Sequence, residues 1–569
     1  MVVVLLLLVV LVGYQAFRTA LALRSAQVDA EHLRTQLSAR DVPGATRTGR
    51  ALADDGRTAR AHTDNLLWDA LGTLPWVGDD VHAVQVVSAV LDDAAGHGLP
   101  PALAAYDAVG SAQLRTADGR FDLATIKQLA PSLQRVSTVF SRSEAQVRTL
   151  QPAGLVGPLR GPVRTLQDQL EQASGTTRAG AVATRLLPGM LGADGPRTYL
   201  LVVQNNAEVR ATGGLPGALS ILRVRDGKVS LGTQLSTADF SVDKTPALPL
   251  TSQERTLYGE KLGTDLRDMN LTPDFPRAAA LFRAEVARTQ GTRVDGVVAV
   301  DPVALSAVLR ATGPVQIGQE TFSADNVVSK VLNQTYFRFP EPQQQDAYFA
   351  TVARGIFQRL VGRAGNETAL LSGVSEAAGQ RRLLVWSDQA SEQRLLAGTA
   401  VAGALPRDAA GPQVGMYLND ATMAKLDYYL DYTADLTSRG CTAQGSQDLL
   451  ARMTLRSSVP RGGAGLPAYV LGPGTVARNG VNRVNLRLYA PAGARLTGLS
   501  VNGAAQRITI NPFEDRRVAS IPLRVRPGEK VEVLVSLRTR AHDEQDAVLQ
   551  LTPGIRSQPS QVVARSSCG

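Results

Sequence analysis

Asn205, Asn206, Glu208 and Arg210 follow directly on the apolar run "TYLLVV", with Gly213, Gly214 and Gly217 close behind. Carboxamide, carboxylate and guanidinium gathered at the mouth of a strand are a set that could neutralise a phosphoryl or diphosphate group, directly or through a divalent ion such as Mg²⁺. In such chemistry positioning and charge neutralisation supply most of the catalysis. The glycines would let backbone N–H groups approach a ligand closely. The same residues fit a second reading, in which Glu208 and Arg210 pair internally and the asparagines cap a turn. Four more polar clusters share the region: "STADFS" with Asp239, "RDMNLTPDFP" with Asp268, Asn270 and Asp274, "VDGVVAVDP" with Asp295 and Asp301, and "TYFRFPEPQQQD" with Tyr336, Arg338 and Asp346. Taken singly, each reads as capping or a solvated surface.

Other chemistries are excluded by what residues 190–413 lack. All five histidines, His32, His62, His82, His97 and His542, lie outside that stretch, as do both cysteines, Cys441 and Cys568. Ser-His-Asp or Cys-His catalysis and His- or Cys-ligated zinc cannot be assembled within it. The chain has no Walker A motif, no GxGxxG after a strand and no GxSxG elbow, so neither a nucleotide nor zinc is expected. The net charge of +9 is carried by scattered arginines without a basic run, and aromatics are sparse, which argues against a nucleic-acid partner. The excess of Arg and Ala reads as GC-rich codon usage of an actinobacterial kind.

The elements that must position these groups follow from periodicity. "MVVVLLLLVVLVGYQAF" carries no charge before Arg18, an apolar run of about 17 residues, and is expected to be an uncleaved membrane anchor over 1–23, with a cleaved secretory signal, which would want a charged start and a clean cleavage site, as the rival. Residues 24–189 carry helical stripes, among them Val81, Val84, Val87, Val90 and Leu91, and predict a helical, membrane-proximal stalk or bundle with Trp68 and Trp76 as core anchors, an interface belt near the bilayer being the alternative. From 190 to 413 strand runs alternate with helical patterns, the mark of a mixed α/β domain. Within it "VRDGKV" predicts a hairpin turning on Asp226-Gly227, and "DPVALSAVLRAT" a helix capped by Asp301 with Pro302 at its first position. From 414 to 569 the period changes to two, as in "VNRVNLRLY" and "KVEVLVSLR", and predicts a β-sandwich. Cys441 and Cys568 fall near its two ends. In an exported domain they could pair, closing a long loop for about 4–5 kcal/mol; two buried free thiols are the alternative.

The strings "NNAEVRATGG", "DMNLTPDFP" and "VDGVVAVDPVALSAVLRATGPVQI" resemble the actinobacterial envelope family known as domain of unknown function 4012. A more distant similarity is to the LytR-CpsA-Psr proteins, membrane-anchored extracytoplasmic enzymes that move glycopolymers from a polyprenyl diphosphate carrier to peptidoglycan with acidic residues, arginines and Mg²⁺. That resemblance implies a LytR-CpsA-Psr-like α/β domain in which Glu208, Arg210, Asp239 and Arg338 are catalytic and Glu208 and Asp239 hold the metal. It implies ligand contacts from Asn205, Asn206, Gly213, Gly214, Asn270, Tyr336 and Asp346. Ala238 stands where the family has its catalytic arginine, and Phe339 and Pro340 break the Tyr-x-Arg-x-Arg pattern, which puts turnover in question. The long lipid would need an apolar tunnel, and the apolar face of "PVALSAVL" is either part of its lining or simply core. Two functions are therefore carried forward: a single-pass, extracytoplasmic envelope protein with a pocket for a polyprenyl-diphosphate-linked glycan, acting as transferase or hydrolase, and a non-catalytic assembly or scaffold protein.

Overall fold

A computed structural model of the chain describes residues 2–111, 114–116, 118–361, 367–406, 411–473, 475–556 and 559–568; the side chains of 2–9, 109–111, 360–361, 367–368 and 475 lie outside that description. The chain divides into two compact units, one of residues 1–116 and 121–194, the other essentially 195–569.

The first unit is helical: α1 (Val2–Ser38), α2 (Val42–Thr63), α3 (Leu66–Gly72), α4 (Gly78–Asp93), α5 (Leu99–Ser111), α6 (Leu123–Arg148) and α7 (Gly157–Met190). α1 buries Thr19, Ala22, Ala26 and Leu33, a narrow stripe of mostly small side chains at helical spacing. Small residues bring the helices close: a Cβ on Gly56 of α2 would meet the Asp92 backbone of α4 at 2.8 Å. α6 and α7 pack through Val147, Val163 and Leu170. Two expectations are corrected. The membrane anchor over 1–23 is not found: among the described residues no helix is long and apolar enough to cross a membrane. The apolar run ends at Arg18, and the same helix continues to Ser38, with Arg18 and Arg24 exposed and the opposite face packed. Trp76 is not a core anchor, being 91% exposed, whereas Trp68 is buried and donates to Gln15 Oε1 at 3.0 Å.

The second unit opens with a five-stranded sheet built from β1 (Arg197–Arg210), β2 (Gly213–Arg225), β3 (Lys228–Leu235), β4 (Gly296–Val300) and, past a small hairpin of β5 (Val315–Ile317) and β6 (Glu320–Phe322), β7 (Leu383–Ser387). Its order is β3-β2-β1-β4-β7, with only β1 and β4 parallel. The β2–β3 turn falls on Asp226 and Gly227, both at positive φ, as "VRDGKV" predicts. Helices cover the sheet: α8 (Ser252–Tyr258), α9 (Lys261–Thr264), α10 (Phe275–Gln290), α11 (Pro302–Thr312), α12 (Val327–Ser329), α13 (Thr335–Arg338), α14 (Pro342–Val361), α15 (Glu367–Gly379) and α16 (Ala390–Leu396). Asp301 caps α11 by accepting from Ala304 N at 2.7 Å, with Pro302 in the first turn.

The same unit ends in two facing antiparallel-rich sheets. One holds β9 (Leu430–Cys441), β10 (Gln447–Ser457), β12 (Arg495–Val501), β13 (Ala504–Ala505) and β16 (Lys530–Arg538); the other β8 (Gln413–Asp420), β11 (Asn482–Tyr489), β14 (Ile510–Phe513), β15 (Arg516–Val525), β17 (Ala547–Leu551) and β18 (Gln561–Ala564). Alternate residues such as Met453, Leu455, Leu486, Leu488, Val533 and Val535 fill the space between them. Cys441 and Cys568 form a disulfide across 127 positions of sequence. The α/β core runs on into this sandwich through Tyr417, Tyr489 and Phe513.

Candidate functional site

β1 outruns its parallel neighbour β4. Its first half pairs with β4 from Tyr199 to Val203, but the strand continues to Arg210, and its register against β2 shifts after Val203 and again after Asn205. The extra length carries the polar segment into the sandwich. Val209 packs in the sandwich core and its N–H donates to Asp427 Oδ2 at 3.0 Å, while Ala211 N donates to Asn419 Oδ1 at 3.0 Å. Gly214 is required where β2 begins, since a Cβ there would lie 2.3 Å from the Asn205 carbonyl.

Glu208 and Arg210, two apart on a strand, lie on one face and meet at 3.0 Å. Arg210 also donates to Asp268 Oδ1 at 2.9 Å and to the Val209 carbonyl at 3.1 Å, and the second oxygen of Glu208 accepts from Lys425. All of Glu208, Arg210 and Lys425 are buried. Burial opposes ionisation of Glu208, yet Lys425 and Arg210 beside it hold its carboxyl below the usual range. Burial likewise opposes the charges of Lys425 and Arg210, and the Glu208 carboxylate raises both above their ordinary values. Two more acids complete the cluster: burial, then the charge of Glu208, pushes Asp420 up to about 6, and burial with Asp420 nearby pushes Asp427 well above the carboxylate range.

The carboxamides have separate tasks. Asn206 Nδ2 donates to Asp301 Oδ2 at 3.1 Å, and the fully buried Arg382 donates to the same oxygen at 2.7 Å. Asn270 Nδ2 sits among Gln204 Oε1, Thr212 Oγ1 and the Gly214 carbonyl at 2.8–3.2 Å. Asn205 Nδ2 donates to the Tyr336 hydroxyl at 2.5 Å, and burial raises the Tyr336 hydroxyl to about 12. Gly213 adopts φ +144° beside the Gln204 side chain.

The other expected site residues lie apart from this group. Asp239 is exposed and spends its carboxylate on a capping box with Ser236. Asp346 accepts from Ser236 Oγ at 2.6 Å. Arg338 is exposed, pairs with Glu320 and lies over the ring of Phe339 at 4.9 Å. The quartet Glu208, Arg210, Asp239 and Arg338 is therefore not one constellation: its first two members are consumed in an internal ion network and its last two by local partners. A Mg²⁺ held by Glu208 and Asp239 does not fit, because both oxygens of Glu208 already face cations and Asp239 is engaged elsewhere. Lys425, Asp420, Asp427, Gln204 and Arg382 were not foreseen; for the first three the one sequence signal is a lysine and two aspartates in "NDATMAKLDYY" at the exit of β8.

Beside the carboxamides lies a cavity of about 260 Å³ between the sheet and α11, α14 and α15. Leu201 and Val203 of β1, Leu305 and Val308 of α11, and Phe349 and Ile356 of α14 form much of its wall. Among the described residues, Gln204 and Asn205 are the only polar side chains lining it. The face of "PVALSAVL" lines it through Pro302, Ala304, Leu305 and Val308.

No curated protein matches the chain. Among solved structures, the crystal structure of protein gbs0355 from Streptococcus agalactiae is similar at 13% identity over 40% of this chain and 79% of that one, with a TM-score of 0.24, too low to carry an argument. Residues 194–336, which hold β1 to β6, the ion network's strand and the front wall of the cavity, match the family described as "Protein of unknown function (DUF4012)".

Proposed function

We propose that this protein binds the hydrocarbon tail of a polyprenyl-linked envelope glycan in the cavity behind β1, and that it presents or shields this lipid without turning it over. The observation that carries the reading is the cavity itself, whose described lining is apolar except for two carboxamides. A wall of Leu, Val, Ile and Phe rewards a chain of methyl and methylene groups at about 25 cal/mol per Å² buried, and offers nothing to a free sugar. The resemblance to LytR-CpsA-Psr proteins supports the ligand class. The separation of Asp239 and Arg338 from Glu208 and Arg210 supports binding over catalysis. The disulfide supports an oxidising compartment outside the cytoplasm.

The test is binding of polyprenyl phosphates of increasing tail length by the full chain. Val308→Trp, which fills the cavity, is expected to weaken binding about tenfold or more with an unchanged unfolding midpoint, while Asp239→Asn and Arg338→Ala leave it unaltered. Binding that ignores tail length or survives Val308→Trp removes the proposal. Glycan release that stops in Asp239→Asn or Arg338→Ala restores the enzyme reading.

A further inference from the structure

The cavity behind β1 has a second property besides its apolar wall: the helices that form it are locked in place. Gly373 of α15 lies so close to α11 that a Cβ on it would meet the Ala307 carbonyl oxygen at 2.8 Å. Gly355 of α14 lies so close to β5 that a Cβ there would meet the Ile317 side chain at 2.6 Å. Near the end of α14, Arg359 donates to the Thr312 carbonyl at the end of α11 at 2.8 Å. α14 is also tied to β3, where Gln234 donates to the Ala350 carbonyl at 3.0 Å and accepts from Arg354 at 2.9 Å. A hydrocarbon chain cannot thread out past either glycine contact, and the wall cannot spread to admit more of it without breaking these ties.

The space inside suits hydrocarbon alone. Asn205 accepts from Ala207 N and donates to the Tyr336 hydroxyl, while Gln204 Oε1 accepts from Thr212, Gly214 and Asn270. No charged side chain stands in the described lining. A phosphate therefore finds no partner within and stays outside. The volume then sets how much tail can enter. An apolar cavity of about 150 Å³ takes one benzene ring, and by that measure one of about 260 Å³ holds roughly ten carbons. We propose that the cavity takes about two isoprene units of the lipid and leaves the rest of a longer tail outside, so that the protein grips a short stretch of the carrier and is blind to its full length. This limit rests on the lipid-tail reading of the cavity given above.

The experiment is calorimetric titration of the full chain with prenyl phosphates of one, two, three and four isoprene units, each kept below the concentration at which it forms micelles. Affinity is expected to rise about a hundredfold or more from one unit to two, and to change by less than about threefold from two units to four. Val308→Ala/Val374→Ala, which strips methyl groups from the wall beside the Gly373 contact, is expected to move the plateau from two units to three. An affinity that keeps climbing at the same rate to four units overturns the limit and leaves the lipid-tail reading in place. So does a plateau that stays at two units in a double variant that still melts cooperatively; where that variant does not fold, the parent series decides by itself. Equal affinity for all four lengths overturns both.

Discussion

At the scale of single residues the protein is governed by charges taken out of water. Glu208 stays ionised because Lys425 and Arg210 face its two oxygens, and its folded pKa is lowered; what it contributes is present above its ordinary 4.5 and lost as pH falls. Asp420 runs the other way. Its pKa rises from 3.8 to about 6, so the native state holds this proton more tightly than the unfolded chain. Its contribution is therefore complete below 3.8 and lost as pH rises through about 6. Asp420→Asn is expected to remove that fall, which shows as a flatter dependence of the denaturation midpoint on pH between about 4 and 6 than in the parent chain. An unchanged slope would mean that Asp420 is ionised alongside Glu208 throughout.

At the scale of elements the decisive one is β1. A strand that stopped at Val203 would complete the parallel pair with β4 and leave the sandwich as a separate body. Continued to Arg210, it delivers Asn206 to Asp301, Val209 to the sandwich core and Arg210 to Asp268. Asp301 joins three elements, capping α11 and accepting from Asn206 on β1 and from Arg382 at the start of β7. Asp301→Ala would strand the buried Arg382 guanidinium, and a loss of about 3–5 kcal/mol is expected in denaturant titration. Asp239→Ala, which removes only an exposed cap, is expected to cost about 1 kcal/mol or less. Equal effects would show that the Asp301 junction is solvated.

At the scale of the whole molecule, the terminal strand β18 lies on the edge of its sheet, and the Cys441–Cys568 disulfide ties the chain behind it to the end of β9. Closing a loop of 127 positions restricts the unfolded chain, and reduction is expected to lower stability by about 4–5 kcal/mol. The measurement is the denaturant midpoint with and without reductant, with Cys441→Ser/Cys568→Ser as the matching variant. Loss confined to β18, read by hydrogen exchange, is the pattern expected if the strand frays first.

Local pattern was enough for whatever depends on neighbours along the chain. The Asp226-Gly227 hairpin, the Asp301 cap with Pro302 and the period-two strands after 413 are legible because positive φ, an unpaired helix N–H and the pleat each constrain a few adjacent residues. So is the closeness of Glu208 and Arg210, two apart on a strand. What tertiary structure alone decided is which partners these groups meet. Lys425 comes 217 positions after Glu208 and satisfies it, while Asp239 and Arg338, expected beside it, find nearer partners in Ser236 and Glu320. Trp76 and Trp68 share one type and nearly one place in sequence, yet one is bare and the other buried. A side chain's chemistry is written in its identity, but whether a buried charge serves a ligand or its own fold depends on which distant segment desolvates it, and that is set only when the chain closes on itself.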